Sequence, residues 1–170
     1  PVREALQYLE SDGWIELRQG RGAFVREPSA KEVSDVFEVR IRLEAASAEL
    51  AAARGDLAPL DELRSVAREG FEAFDVADDQ RLVTLNAQFH NGIAGMAGND
   101  TLTALIASME RKGRWYFSTG ALDRGRVAWD DHVALLDAIA ARDVDTAGTI
   151  MRLHVQRSLD RYNERMSQLA

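Results

Sequence analysis

The sequence predicts a mostly α-helical protein. An antiparallel bundle of about six helices fills residues 31–170, residues 1–27 hold a helix and a short β-hairpin, and residues 28–30 link the two. Three observations lead there. Every segment after residue 30 reads as helix, punctuated by stop signals such as Gly55 and Gly98. The connections are short, which sets neighbouring helices antiparallel. Before residue 28, two strand-like runs flank a glycine-bearing turn, the pattern of a hairpin.

Residues 1–10 form a helix with Ala5, Leu6 and Leu9 on its apolar face and Pro1 tolerated in the first turn. Ser11-Asp12-Gly13 stops it. Trp14-Ile15-Glu16-Leu17 and Ala23-Phe24-Val25-Arg26 are strands around the turn Arg18-Gln19-Gly20-Arg21-Gly22. A lone helix and hairpin cannot build a core. Ser29 and Glu32 match a capping box, in which each residue satisfies a backbone amide of the other. The six helices are then expected at 30–54, 59–75, 78–97, about 101–119, 125–142 and from 143 nearly to the end.

Composition bounds the function. The chain has 170 residues, enough for one core that buries roughly 70% of the unfolded surface. Hydrophobic residues make up 46% and charged residues 29%, a globular composition. No apolar run approaches the roughly 20 residues of a membrane span, so no membrane partner is expected. No signal peptide is visible, and the expected location is the cytoplasm. With no cysteine, disulfides and thiolate metal sites are excluded. The net charge of −7 by itself argues against a nucleic-acid binder.

The chemistry lies in three histidines, His90, His132 and His154, each on a helix face that also carries apolar residues. Singly, each reads as a core histidine with a satisfied partner. Spacing adds a second reading. His132 stands 11 residues before Asp143, where the last two helices turn, and His154 stands 11 after it. At about 1.5 Å per residue both lie about 16 Å from the turn, at one height on facing helices. Asn86 sits four residues before His90 on the same helix face and adds an amide oxygen. Three imidazoles and an amide carry no charge to balance a divalent cation, so open positions favour an anion. Imidazole donors suit zinc, nickel, copper or iron.

Other charged residues leave alternatives open. Arg40 falls on the apolar stripe of Val33, Val36 and Phe37, where a charge needs a partner. That partner is either Glu44, one turn on, or the carboxylate of a bound effector. Arg114-Trp115-Tyr116 reads as a second wall of the same cavity or as ordinary packing. Arg3 reads as a solvated helix residue paired with Gln7 or Asp12. Gln19-Gly20-Arg21 reads as a plain turn or as a tip able to approach a phosphate. Asp131, beside His132, is expected to point away from the histidines. Asp78-Asp79 reads as a solvated helix start favoured by the helix dipole.

The chain resembles the GntR family of bacterial transcription regulators, in the FadR branch with the FCD effector domain. The N-terminal likeness is carried by Pro1-Val2-Arg3-Glu4-Ala5-Leu6-Gln7-Tyr8-Leu9, Asp12-Gly13-Trp14-Ile15-Glu16 and Gly20-Arg21-Gly22-Ala23-Phe24-Val25. The C-terminal likeness lies in Glu38-Val39-Arg40-Ile41-Arg42-Leu43-Glu44, in Asn86-Ala87-Gln88-Phe89-His90 with Gly98-Asn99, in Asp131-His132 with Leu135, Ala138 and Ile139, and in 147–154. The resemblance implies that residues 1–27 are the recognition helix and wing of a partial winged-helix domain, with its first two helices preceding residue 1. It implies operator DNA as partner, read through Arg3, Gln19, Gly20 and Arg21. It further implies a homodimer, and an FCD-like domain over 31–170 that binds a small carboxylate metabolite. Asn86, His90, His132 and His154 would hold a divalent metal, zinc first, with nickel, manganese or iron as alternatives; many members carry Asp where this chain has Asn86. Arg40 and Arg114 would meet the effector. The rival readings are a metal-dependent hydrolase built on the three histidines, a purely structural metal, and a metal-free pocket for a larger acyl ligand.

Overall fold

The computed structural model describes residues 1–54, 57–116 and 125–169. Two compact units emerge, Pro1–Glu32 and Val33–Ala170.

In the first unit, α1 spans Val2–Ser11, β1 Ile15–Arg18 and β2 Gly22–Val25. The strands pair antiparallel, with Ile15 opposite Val25 and Arg18 opposite Gly22. Gly20 and Gly22 have φ of 72° and 97°, left-handed values that β-carbon-bearing residues rarely adopt, and they allow the tight reversal after Arg18. Glu10 accepts a hydrogen bond from the Leu17 amide and ties α1 to β1. Ile15 is the one buried residue among 1–32, so this unit has little core of its own.

The second unit and its lead-in are helical: α2 Ala30–Arg54, α3 Leu60–Asp75, α4 Asp79–Met96, α5 Asp100–Tyr116, α6 Val127–Ala140 and α7 Val144–Leu169. The capping box forms as expected: Ser29 Oγ accepts from the Glu32 amide and Glu32 Oε2 accepts from the Ser29 amide. Side chains cap later helices too. Asp78 accepts from the Arg81 amide, Asn99 from Leu102 and Asp143 from Thr146. The expected stop at Gly55 and the extension of α5 to Thr119 lie outside the described residues. Gly98 ends α4 with φ 59°. Ala77 and Arg142 also take left-handed φ, at 55° and 58°, after α3 and α6, where the sequence signals no glycine.

The core of the second unit is built from α2, α3, α4, α6 and α7, with Phe37, Phe89, Ile93, Leu136, Ile139 and Met151 fully buried. α3 packs on α4 and α6, α6 on α7, and α4 on α5. Glycines make room for large side chains of neighbouring helices. A β-carbon on Gly70 of α3 would lie 2.2 Å from the Trp129 ring of α6, and one on Gly92 of α4 would lie 2.4 Å from Leu63. Among the described residues no helix is long and apolar enough to cross a membrane.

Candidate metal centre

α4, α6 and α7 bring the three histidines to one point. The inward face of α6 carries Trp129, His132, Leu135, Leu136 and Ile139, all buried. His132 therefore turns inward with them. On α4, Asn86, Phe89, His90 and Ile93 share the buried side. On α7, His154 lies between buried Met151 and Val155. Exposure of the three imidazoles is 2%, 1% and 4% for His90, His132 and His154. Their ring centroids are 5.4 Å apart for His90 and His132, 5.1 Å for His90 and His154, and 4.6 Å for His132 and His154. The equal spacing from Asp143 thus does set His132 and His154 at one height.

The ring packing fixes orientation. His132 stacks on Phe89 at 3.8 Å between centroids and 14° between planes, and its edge meets Trp129 at 4.8 Å. His90 Nδ1 lies 2.5 Å from Glu44 Oε2 in an off-axis contact without regular hydrogen-bond geometry. His154 Nδ1 lies 3.4 Å from Asp131 Oδ2, and donating its proton there leaves Nε2 as the lone-pair nitrogen. Asp131 also pairs closely with Arg157. Two expectations are corrected here. Asp131 does not avoid the histidines: it points away from His132 but towards α7, where it meets His154. Nor is the site without carboxylate charge, because Glu44 stands against His90 and is 2% exposed.

Electrostatics set the protonation states. Burial works to raise the Glu44 carboxyl, but the Arg40 charge and the His90 contact overcome it and hold it well below the usual carboxylate range. Burial depresses His154 to about 4, against the opposing pull of Asp131, so its ring is neutral at pH 7. Burial also acts on Asp131, yet the bonds from His154 and Arg157 bring it below its ordinary value.

These residues fit a divalent cation. One donor atom from each of His90, His132 and His154 lies within 4.8 Å of the other two. Metal–imidazole bonds of about 2.0–2.1 Å need the rings to close by less than about 1 Å. A neutral buried imidazole is the form a metal takes, and a carboxylate behind a ligating ring is its usual orienting partner. Asn86 is buried one turn before His90.

Arg40 is buried, and its Nε donates to Glu44 Oε1 at 2.8 Å. Of the two partners the sequence allows, Glu44 is therefore present. The guanidinium lies over the Phe37 ring at 4.9 Å and presses on α5, where a β-carbon on Gly113 would lie 2.8 Å from Nη1. Arg114 is half-exposed, and its Nε pairs with Glu110 Oε2 at 3.1 Å; Glu110 itself is only 4% exposed. The sequence reading missed Glu110, because a single charged position within a helix carries no burial signal. In the first unit Arg3, Gln19, Gly20 and Arg21 are all exposed. Arg3, Gln19 and Gly20 line one groove of about 450 Å³ between α1 and the hairpin turn.

Comparison with known proteins bears on this arrangement. The family model described as the FCD domain matches residues 35–157. The chain is similar to the Nta operon transcriptional regulator of Aminobacter aminovorans, at 26% identity over 164 residues, covering 96% of this chain and 77% of that protein. It is similar in structure to a GntR transcriptional regulator from Rhodococcus sp. RHA1, with TM-score 0.79 and 25% identity, covering 96% of this chain and 79% of that one. McbR/YncC of E. coli shares the fold with TM-score 0.84 at 19% identity, over 96% and 83% of the two chains. The Aminobacter and Rhodococcus proteins are named as transcriptional regulators, which sets aside the hydrolase reading. Matched over most of its length by the family model and flanked by regulators of one architecture, the chain belongs to the FCD domain family and is a transcriptional regulator of the GntR type.

Proposed function

We propose that this regulator senses a small carboxylate metabolite through a divalent metal held by His90, His132 and His154, with Asn86 as a fourth donor. The observation that carries the reading is the convergence of three buried imidazoles, donor atoms within 4.8 Å, from three different helices. Zinc suits this imidazole-rich donor set first, with nickel or iron next and manganese, which favours oxygen donors, last. A bound cation supplies Lewis-acidic positive charge to which an effector carboxylate adds. The residues of the chain do the rest: Glu44 and Asp131 orient the rings of His90 and His154, and Phe89 and Trp129 hold His132. Arg40 keeps a cationic edge buried beside them, and Arg114 adds charge at the α5 side.

On this reading residues 1–27 are the recognition helix and wing of the DNA-reading domain and 31–170 the effector domain. Arg3 is the base-contacting residue, and Gln19, Gly20 and Arg21 form the tip at the phosphates. The protein works as a cytoplasmic homodimer on operator DNA. An effector that binds one arrangement of the dimer better than another shifts its population and with it the operator affinity. The test is an operator-binding titration of the zinc-loaded regulator against a panel of small acids, with His132→Ala as control. Operator affinity that moves with acid in the native protein but not in the variant supports the reading. Affinity indifferent to acids and to chelation defeats it, and chelation that lowers only the melting temperature assigns the metal a structural role.

A further inference from the structure

Two donors share one oxygen of Asp131. His154 Nδ1 lies 3.4 Å from Oδ2, and Arg157 Nη1 pairs closely with the same atom. The first distance exceeds the roughly 2.7–3.2 Å of an ordinary N–H···O bond. The second contact joins two full charges and is of the stronger kind. Arg157 therefore engages Oδ2 more closely than the imidazole does.

The layout follows from the helices. His154 and Arg157 stand three residues apart on one face of α7, and both reach Asp131 on α6. His154 is buried, Arg157 is half-exposed, and Asp131, 17% exposed, stands between interior and surface. All three line one cavity of about 280 Å³, together with Val127, Ser158 and Arg161. A pair to so exposed an arginine contributes little to stability. Its consequence falls on the imidazole instead. A carboxylate that accepts from the far nitrogen of a ligating ring makes that ring a better metal ligand. Sharing the same oxygen with a guanidinium works against this.

We infer that Arg157 is a positioning residue of the metal centre, which holds zinc affinity down by competing with His154 for Asp131 Oδ2. The inference rests on the metal reading above. Without the guanidinium, Oδ2 is free to close on His154 Nδ1, and Nε2 becomes the stronger donor. Arg157 thus acts from the cavity side, outside the donor set, on a site it does not touch.

The experiment compares the native protein, Arg157→Ala, Arg157→Lys, Asp131→Asn and the double variant Asp131→Asn with Arg157→Ala. Zinc affinity is read by competition with a chromophoric chelator at fixed pH and ionic strength. Arg157→Ala is expected to bind zinc about 10-fold tighter, the lower end of the effect of a partner behind a metal ligand. Arg157→Lys, which keeps a cation at the same oxygen, is expected to stay near the native affinity. With Asp131→Asn in place, removing Arg157 is expected to change the affinity by less than about 2-fold, because the two substitutions act through one contact. In histidine-labelled protein without zinc, the Nδ1 proton of His154 is expected to move downfield in Arg157→Ala as its bond to Asp131 shortens. Unchanged or weaker zinc binding in Arg157→Ala overturns the assignment, and so does an equal gain in the Asp131→Asn background. An unmoved Nδ1 proton overturns the competition whether or not zinc binds. Zinc bound by none of these proteins defeats the metal reading itself, and the claim about affinity falls with it.

Discussion

At the scale of single residues, the carboxylates behind the imidazoles make predictions that separate metal affinity from fold stability. Glu44→Gln removes the charge that faces both Arg40 and His90 in the interior. Leaving Arg40 buried without its counter-ion is expected to destabilise the protein by about 3 kcal/mol. Loss of the orienting carboxylate is expected to weaken zinc binding by about 10- to 100-fold. Asp131→Asn is expected to weaken zinc binding similarly, yet to change the melting temperature little, because Arg157 is half-exposed and its pair contributes little. Competition with a chromophoric chelator reads the first quantity and thermal melts the second. Equal affinity in native and variant proteins would remove both carboxylates from the site. Much of the site was legible at this scale. His132 and His154 were visible because their spacing about Asp143 predicts a common height, whereas His90 had only its apolar helix face and Asn86 one turn before it. Glu44 was visible only as a partner for Arg40, since a contact between α2 and α4 leaves no local spacing. Asp131 was misjudged because adjacency to His132 says where it does not point, and the position of α7 decides where it does.

At the scale of elements, the sequence predicted starts better than stops. Ser29 with Glu32, Asp78, Asn99 and Asp143 all cap helices, because a short polar side chain before a helix satisfies a free amide through local chemistry. Ala77 and Arg142 end α3 and α6 in left-handed conformations closed by local bonds, from the Asp78 amide to Ala73 O and from the Asp143 amide to Ala138 O, and no glycine announces them. The capping box carries a pH signature. Hydrogen bonds from Ser29 and Arg26 lower Glu32 from 4.5 to about 2. A carboxyl depressed in the folded state contributes stability that is present above its unfolded value and lost as pH falls through its folded value. The stability difference between native protein and Glu32→Gln is therefore expected to be full above pH 4.5 and to fade between 4.5 and about 2. A difference that stays constant across that range would dissociate Glu32 from the cap. Glycines at helix crossings give a paired prediction. Gly70→Ala drives a methyl into the packed Trp129 ring and is expected to lose about 2 kcal/mol or more, outweighing the helix propensity of alanine. Gly95→Ala on α4 has open space around it and is expected to gain up to about 1 kcal/mol. Because Trp129 also edges His132, the first substitution is expected to lower zinc affinity and the second to leave it unchanged.

At the scale of the whole molecule, the proposed metal site and the core are one system. The helices that donate histidines, α4, α6 and α7, are among the five whose apolar faces form the main cluster. A ligand that binds only the folded state stabilises it by mass action, about 4 kcal/mol at a free concentration roughly a thousand times its dissociation constant. In a bundle of this size each kcal/mol moves the melting temperature by roughly 2–4 °C. Chelation is therefore expected to lower the melting temperature by about 8–16 °C under such conditions, and re-addition of zinc to restore it. The core lies within 33–170, so a fragment spanning 28–170 is expected to keep both the shift and the zinc affinity of the whole chain. Calorimetric scans of chain and fragment, with and without chelator, check both statements. A chelator-insensitive melt in the intact chain would mean that the imidazoles pack as core and hold nothing. A shift present in the chain but absent from the fragment would mean that residues 1–27 belong to the same cooperative unit, and the division at Glu32 would then be one of contacts and not of folding.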